Sequence, residues 1–430
     1  MKKIFFLVVC LFSFLIASAQ YSVTGGNGTP LLVADNTASR IQVYLLNGLA
    51  NAQLSFTSTA TGTHQWYKYT TRAANAVPIV STQTGNTSTI TALTDGCGYF
   101  VGEATDPATS YIWIIDYSQH LPNFFSMTVD DEEFKCQNIK LLADIEADPL
   151  DYTVYSGARF DLPRTYHLLY DNLQWDDALA QFIPEKVDLP IKGIVSEITL
   201  SAPLTNTTFT LSGDEFSEHF GLEKTLSTPV YESVAVEAQV TCRRLPATEE
   251  PLAGDMNFSA PVELRFEAVA NEPAAAMFIW EIIKIDRESK DSTTIVRYTD
   301  KTMTYTFRES GFFRVRLEVI GIHSTCFNRE HFFDINIGES LLFLPNAFSP
   351  GASIGTNDEY RVTYKSLIRF KASIFNRWGN LLYTWTDPDK GWDGKSKGKY
   401  VPTGVYFIVV DAEGADGKHY KVSKDVNVLR

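Results

Sequence analysis

Beyond its first nineteen residues this chain has no apolar run long enough to cross a bilayer, and helical periodicity is scarce throughout. Cysteine is sparse as well. Cys10, Cys97, Cys136, Cys242 and Cys326 stand far apart with no CxxC pair, so no zinc or redox motif follows from them. G-x-S-x-G, H-E-x-x-H and glycine-rich phosphate loops are all missing. Basic charge is in short supply, with 37 Lys+Arg against 51 Asp+Glu and a formal charge of -14. That balance excludes nucleic acid as a partner, because a phosphate backbone requires a basic face.

The chain opens with Lys2 and Lys3, an apolar run from Ile4 to Ile16, and Ala17-Ser18-Ala19 before Gln20. This pattern predicts residues 1–19 to be a secretory signal peptide cleaved between Ala19 and Gln20. Cys10 is a poor lipidation site, since Val9 precedes it and it lies inside the apolar run. Charge is unevenly spread: residues 340–430 hold 13 Lys+Arg against 9 Asp+Glu, a net of +4, while the remainder after residue 19 carries about -20. Of the four later cysteines, Cys136 and Cys242 fall in one unit of the chain. Two states are open to them, a disulfide with each other or buried free thiols, and the second is the expectation.

Period-two alternation recurs in short segments bounded by Gly, Asn, Asp, Pro and Thr, and it predicts an all-β chain of tandem β-sandwiches. In "FFRVRLEV" Phe313, Val315, Leu317 and Val319 share one face, and Arg314, Arg316 and Glu318 the other. "SVAVEAQVTC" alternates in the same way through Val234, Val236, Ala238, Val240 and Cys242. Composition breaks at 118–125, 245–255 and 336–346 divide the chain after the signal peptide into units 20–120, 121–248, 249–339 and 340–430. The second unit is the least legible, with a short helical or loop excursion expected at "DNLQWDDALAQF", 171–182.

Unit 20–120 resembles an immunoglobulin-like domain through Trp66 in "HQWYKY" and through Asp95 and Tyr99 in "LTDGCGYFV", as in a tyrosine corner; Val101 stands where the second core cysteine would be. Unit 249–339 resembles a PKD-like β-sandwich through Trp280 in "FIWEI" and through Tyr305, Phe307, Gly311, Phe313, Val315 and Leu317. Its "EIIKIDRESK" replaces that family's Asp/Gly-rich turn.

Unit 340–430 carries the richest set of motifs: "LPNAFSP" (344–350), Asn357-Asp358, "FNRWGN" (375–380), "WDG" (392–394), "VPTGVYFIVV" (401–410) and "VSKDVNVLR" (422–430). In this order they resemble the gliding motility-associated C-terminal domain, the type B sorting domain of type IX secretion cargo. The resemblance assigns the sorting motif to Pro345, Asn346, Phe348, Asn357, Asp358, Asn376, Arg377, Trp378, Gly379, Trp392, Asp393, Gly394, Gly404, Tyr406 and Arg430. It implies export through the periplasm to the outer cell surface or medium, handled by the type IX machinery with a PorP/SprF-like outer-membrane partner. "GASIGT" stands where the family has a Gly/Asp-rich loop, so no calcium is expected there.

Three of the seven tryptophans, Trp378, Trp385 and Trp392, lie within fifteen positions. The stretch reads as a hairpin with Gly379-Asn380 as a two-residue turn and Trp378 opposite Leu381. Trp378 and Trp392 are expected to pack the domain, whereas Trp385 belongs to no motif. Elsewhere, Tyr111, Trp113 and Tyr117 share a strand face that is either core or a glycan- or protein-binding surface, core being the expectation. His323, Cys326 and His331 have a spacing compatible with metal ligation, and Asp130, Asp131, Glu132 and Glu133 with calcium. Ordinary sandwich strands and a solvated loop are the expected readings of the two sets, and no cofactor is expected. The leading expectation is a non-enzymatic exported binding or structural protein. An accessory of the gliding or secretion apparatus and a glycan-active enzyme with its site in 20–245 are the alternatives.

Overall fold

A computed structural model describes residues 20–429 except 105, 131–134, 194, 247–250, 273, 324, 353, 354 and 356. Ala19, Arg430, Asp131, Glu132 and Glu133 thus lie outside the described residues. The chain is all-β, a series of β-sandwiches in tandem. The one α-helix among the described residues, Glu215–Phe220, is a single short turn capped by Asp214. No described helix is long and apolar enough to cross a membrane.

In the first unit a six-stranded sheet faces a four-stranded one. Tyr111–Asp116 lies inside the larger sheet, parallel to Ile41–Leu46 and antiparallel to Cys97–Val101, and all six of its residues are buried. Ile112 and Ile114 point into the sandwich around Trp66. Tyr111, Trp113 and Ile115 point the other way, into a second core with Tyr117. The expectation of core is met, although that core is shared: Leu150, Tyr152, Val154, Leu162 and Phe216 of the second unit complete it. Trp66 is fully buried and donates from Nε1 to Ser88 Oγ at 2.8 Å, while Tyr99 Oη accepts the Thr94 N–H at 2.7 Å, as the tyrosine corner requires.

A buried polar cluster lies at the same junction. Arg164 donates to Asp214 Oδ2 at 2.5 Å and to the carbonyls of His120 and Asp148 at 2.6 and 2.9 Å. Asp214 also accepts from the Tyr117 hydroxyl and from the Ser217 N–H. Both charges are almost wholly out of water, so each must be satisfied by hydrogen bonds, and each is.

The second unit corrects the excursion expected at 171–182. Thr165–Asp176 and Gln181–Lys192 form one hairpin paired over twelve rungs, from Thr165 opposite Lys192 to Asp176 opposite Gln181. The short polar run that resembles a helix start is the hairpin's turn: Asp176 Oδ1 accepts the N–H groups of Ala178 and Leu179 at 2.8 and 2.9 Å, and Ala180 takes φ 50°. Local propensity lost to cross-strand pairing.

In the third unit the expected faces of "FFRVRLEV" are observed, with Phe313, Val315, Leu317 and Val319 buried against Trp280, Phe266 and Phe307. Ala238–Leu245, read above with the second unit, pairs along its whole length with Val262–Ala270 and so belongs to this sheet. Its alternation begins only at Ala238, because residues 232–237 form no strand.

The cysteines depart from expectation. Cys136 is bonded to Cys326, with Cα atoms 5.4 Å apart, and this bridge ties the second unit to the third across 190 residues of sequence. Cys242 is instead a buried free thiol, as is Cys97. Burial pushes the Cys242 thiol up to about 12. With Cys326 in a disulfide, the His323, Cys326 and His331 set loses its thiolate and cannot bind metal as envisaged; among the described residues no cluster of three His, Cys, Asp or Glu could hold an ion. Thiol labelling of denatured, unreduced protein lacking residues 1–19 should modify Cys97 and Cys242 only, and reduction should bring the total to four. Four labelled thiols before reduction would overturn the bridge.

His120 and Asp95 make a second testable contact, Nε2 to Oδ2 at 3.0 Å. The hydrogen bond with Asp95 raises the imidazole pKa above its ordinary value against the opposing effect of burial. Burial opposes ionisation of Asp95, but hydrogen bonds from His120 and from the Asp116 N–H outweigh it and hold the carboxyl below its usual range. Because the folded-state pKa of His120 is raised, its contribution is complete below the ordinary histidine value of about 6.5 and is lost as pH rises through the raised value. Calorimetric stability of the first two units should therefore fall as pH is raised from about 6 to 8. His120→Gln should flatten that slope, and an unchanged slope would assign the dependence elsewhere.

Candidate functional site

The fourth unit is built on a five-stranded sheet in the order Ala347–Phe348, His419–Val428, Gly404–Gly414, Leu367–Phe375, Leu381–Trp385. Its motif residues separate into an interior framework and an exposed turn.

Trp392 is the centre of the framework. It is fully buried, and its ring lies 5.3 Å from Phe348 and 5.7 Å from Tyr406. Its backbone exchanges hydrogen bonds with Tyr360 at 2.8 and 3.1 Å, and Nε1 donates to the Lys395 carbonyl at 2.8 Å. The two residues that follow complete a tight turn. Asp393 Oδ1 accepts the Lys395 N–H at 3.0 Å, and Gly394 takes φ 74° against Pro350, where a Cβ would lie 2.6 Å from the proline ring. Pro345 accepts from the Tyr360 hydroxyl, Asn346 from the Asn427 N–H, and Phe348 from the Leu429 N–H, which docks "LPNAF" beside the last strand. Asn357 takes φ 58° while its carbonyl accepts the Ser349 N–H. Both carboxylate oxygens of Asp358 are engaged by backbone, Oδ1 with the Gly351 N–H at 3.1 Å and Oδ2 with the Gly355 N–H at 2.6 Å. Tyr406 donates to the Pro402 carbonyl, shaping the turn that ends at Gly404.

The turn at 376–380 is different in kind. Asn376 Oδ1 accepts the N–H groups of Trp378 and Asn380 at 3.0 and 2.9 Å, its own N–H donates to the Asn380 carbonyl, and Gly379 takes φ 83°. The loop is thus longer than the expected two residues, and Leu381 pairs with Phe375, not with Trp378. Trp378 is correspondingly not a packing residue: it is 69% exposed, with the Arg377 guanidinium 4.3 Å from its ring centroid. The packing expected of it falls to Trp385, which is 5% exposed and lies against Phe370 and Tyr383.

Asn376, Arg377 and Trp378 line a groove of about 320 Å³ together with Leu382, Gly404, Val405 and Tyr406. From that groove an apolar strip runs over the open side of the sheet. Phe407 sits opposite Phe375, Val409 opposite Ser373, and Leu381 opposite Phe375 from the edge strand. Val405, Phe407, Val409 and Leu381 are 48, 40, 43 and 57% exposed, while Tyr406, Ile408 and Val410 between them are buried. Beyond Val409 the same face turns charged, with Arg369 beside Asp411 and Glu413. No motif in the sequence marked this strip as exposed. Its signal was the unbroken apolar run of "VYFIVV", since a half-exposed antiparallel strand should alternate with polar residues.

Residues 342–424 match the family model described as the CHU_C Type IX secretion signal domain. The chain therefore ends in a type IX secretion signal domain. Residues 128–228 match a fibronectin type III domain, which supplies a type for the unit whose strands were least legible. Together they describe an exported multi-domain protein of the cell surface or medium. No protein of curated function matches the chain. Among solved structures, the chain is similar to a tetra-tandem repeat from the extending region of a large adhesion protein, at 12% identity and TM-score 0.23, with 96% of this chain and 100% of the other covered. It is also similar to the three N-terminal domains of the bacteriophage RB49 outer capsid protein Hoc, at 12% identity and TM-score 0.21, covering 72% and 100%. A third is E. coli alpha-2-macroglobulin, at 9% and 0.18, covering 96% and 29%.

Within the signal domain the two tryptophans should behave oppositely. Trp392→Ala should cost about 3–5 kcal/mol in denaturant unfolding of this domain, as expected for a fully buried ring. Trp378→Ala should cost less than about 0.5 kcal/mol. Equal losses at the two positions would contradict the division into framework and exposed turn.

Proposed function

We propose that the chain is an exported surface protein acting by binding and spacing, not turnover, and that its signal domain is received by the type IX machinery through Trp378 and the strip Leu381, Val405, Phe407 and Val409. The observation that carries this reading is the strip itself. Four large apolar side chains and an exposed indole form one continuous surface on a domain whose core is already complete without them. An apolar surface of this kind on a soluble domain fits a protein receiver, and the indole with its stacked guanidinium has the composition of an interface anchor. In the terms of the type B resemblance, the receiver is a PorP/SprF-like outer-membrane protein met from the periplasm. The three preceding sandwiches then form the part displayed outside, joined by a shared core and a disulfide suited to a stalk.

The test separates address from fold. Phe407→Asp combined with Val409→Asp lies on an exposed face, so the variant should remain folded and resistant to protease while accumulating in the periplasm, as should a chain lacking residues 340–430. Surface delivery of the strip variant at the normal level would reject the docking surface. Delivery of the truncated chain would reject the address altogether.

A further inference from the structure

The third unit and the signal domain are joined by three residues, Gly338 to Ser340, between the strands Phe332–Ile337 and Leu341–Phe343. Gly338 and Ser340 in this connection are tied by hydrogen bonds to both domains. The Gly338 N–H donates to the Phe258 carbonyl at 2.9 Å, and its own carbonyl accepts from Ser366 Oγ at 2.6 Å. Ser366 is wholly buried and also accepts the Ala260 N–H at 3.2 Å, so one hydroxyl of the signal domain holds two backbone groups of the third unit and its exit. Ser340, 8% exposed, donates from its N–H and its Oγ to the Asp416 carboxylate at 3.2 and 2.6 Å. Lys418 spans Asp416 and Glu339, each at 3.0 Å.

The contact extends beyond the connection. Ala415, at the turn between the two longest strands of the signal domain, is buried within the hydrophobic cluster of the third unit. The Ser310 N–H of the third unit donates to the Ala415 carbonyl at 3.0 Å, and the Ala415 N–H donates to the Ser366 carbonyl at 2.8 Å. Gly414 permits this approach, since a Cβ there would stand 2.2 Å from Ser340 Oγ.

We infer that the signal domain is a permanent fourth domain of the mature protein and not a tag removed after export. A protease must draw several residues on each side of the scissile bond into an extended, unpaired conformation. Here both flanks are strands, and the residues between them are tied down by Ser366 and Asp416. A cut at Glu339 would also fail to release the domain, because Ala415 in the third unit's core and the bonds from Ser310 and Ala260 to the signal domain would keep the two parts together. This inference does not depend on which surface the secretion machinery reads.

Two measurements test it. Protein recovered from the cell surface should yield peptides from 404–428 by mass spectrometry, whereas a surface form ending between 336 and 345 would overturn the inference. Independently of export, purified chain from residue 20 onward should resist limited proteolysis at 338–340. Asp416→Ala should raise cleavage there about tenfold to a hundredfold, as expected for loss of hydrogen bonds to a charged group. Wild-type protein cut there as fast as the variant would show that the joint protects nothing, and the inference would fall.

Discussion

An antiparallel strand sends alternate side chains to opposite faces, so a sheet with one face in its own core must still account for the other. Much of this molecule follows from what lies on that second face. In the first unit Tyr111, Trp113 and Ile115 stand on the outer side of a strand whose inner side, Ile112 and Ile114, already fills a sandwich. The hairpin Leu150–Leu162 and the helix Glu215–Phe220 of the next unit cover it. In the signal domain Val405, Phe407 and Val409 hold the equivalent outer position, and among the described residues no other unit covers them. The same pattern is a joint between domains in one place and an open surface in the other.

The joints share a second constraint, since polar groups taken from water at a junction must be paired. At the first junction Asp214 is met by Arg164, Tyr117 and Ser217. An ion pair this deeply buried contributes little net stability, because desolvation of both ions offsets their attraction. Its consequence is geometric: Arg164 and Asp214 belong to the second unit while the Tyr117 hydroxyl and the His120 carbonyl come from the first, so a rotation between the units would strip hydrogen bonds from a buried charge pair. Asn271 has a related position between the second and third units, donating from Nδ2 to the carbonyls of Leu204 and Ala235 and accepting the Glu237 N–H. There the covalent link between Cys136 and Cys326 adds to it. At the last junction Ser366 and Asp416 do the same with neutral and charged hydrogen bonds. The chain is thereby a series of domains held at defined angles instead of beads on loose linkers.

The tryptophans of the signal domain show how much of a site can be read from motifs. "WDG" was legible because each residue has a local duty: a ring that fills the core, a carboxylate that closes a turn, and a glycine that accepts a positive φ beside a proline. "FNRWGN" was legible as a turn but not as to where its indole points. Asn376 accepts from two backbone groups and lengthens the loop, which moves Trp378 off the paired register and into solvent. Trp385, which stands in no motif, fills the core because the register of Leu367–Phe375 against Leu381–Trp385 places it opposite Ala372 on the buried side. The hairpin at 171–182 failed for a related reason, since the local preference of "DDALA" was weaker than twelve rungs of pairing between the strands on either side of it.

The sequence by itself determined that the protein is all-β and tandem, that it ends in a type IX signal domain, and which faces of its strands are apolar. These properties depend on period-two patterning and on turn residues, which act within a few positions along the chain. Tertiary structure alone decided which cysteines meet, which tryptophan is buried, and whether an apolar face becomes a joint or an exposed surface. Each of those depends on the approach of segments far apart in sequence, and alternation along one strand carries no information about what will lie against it.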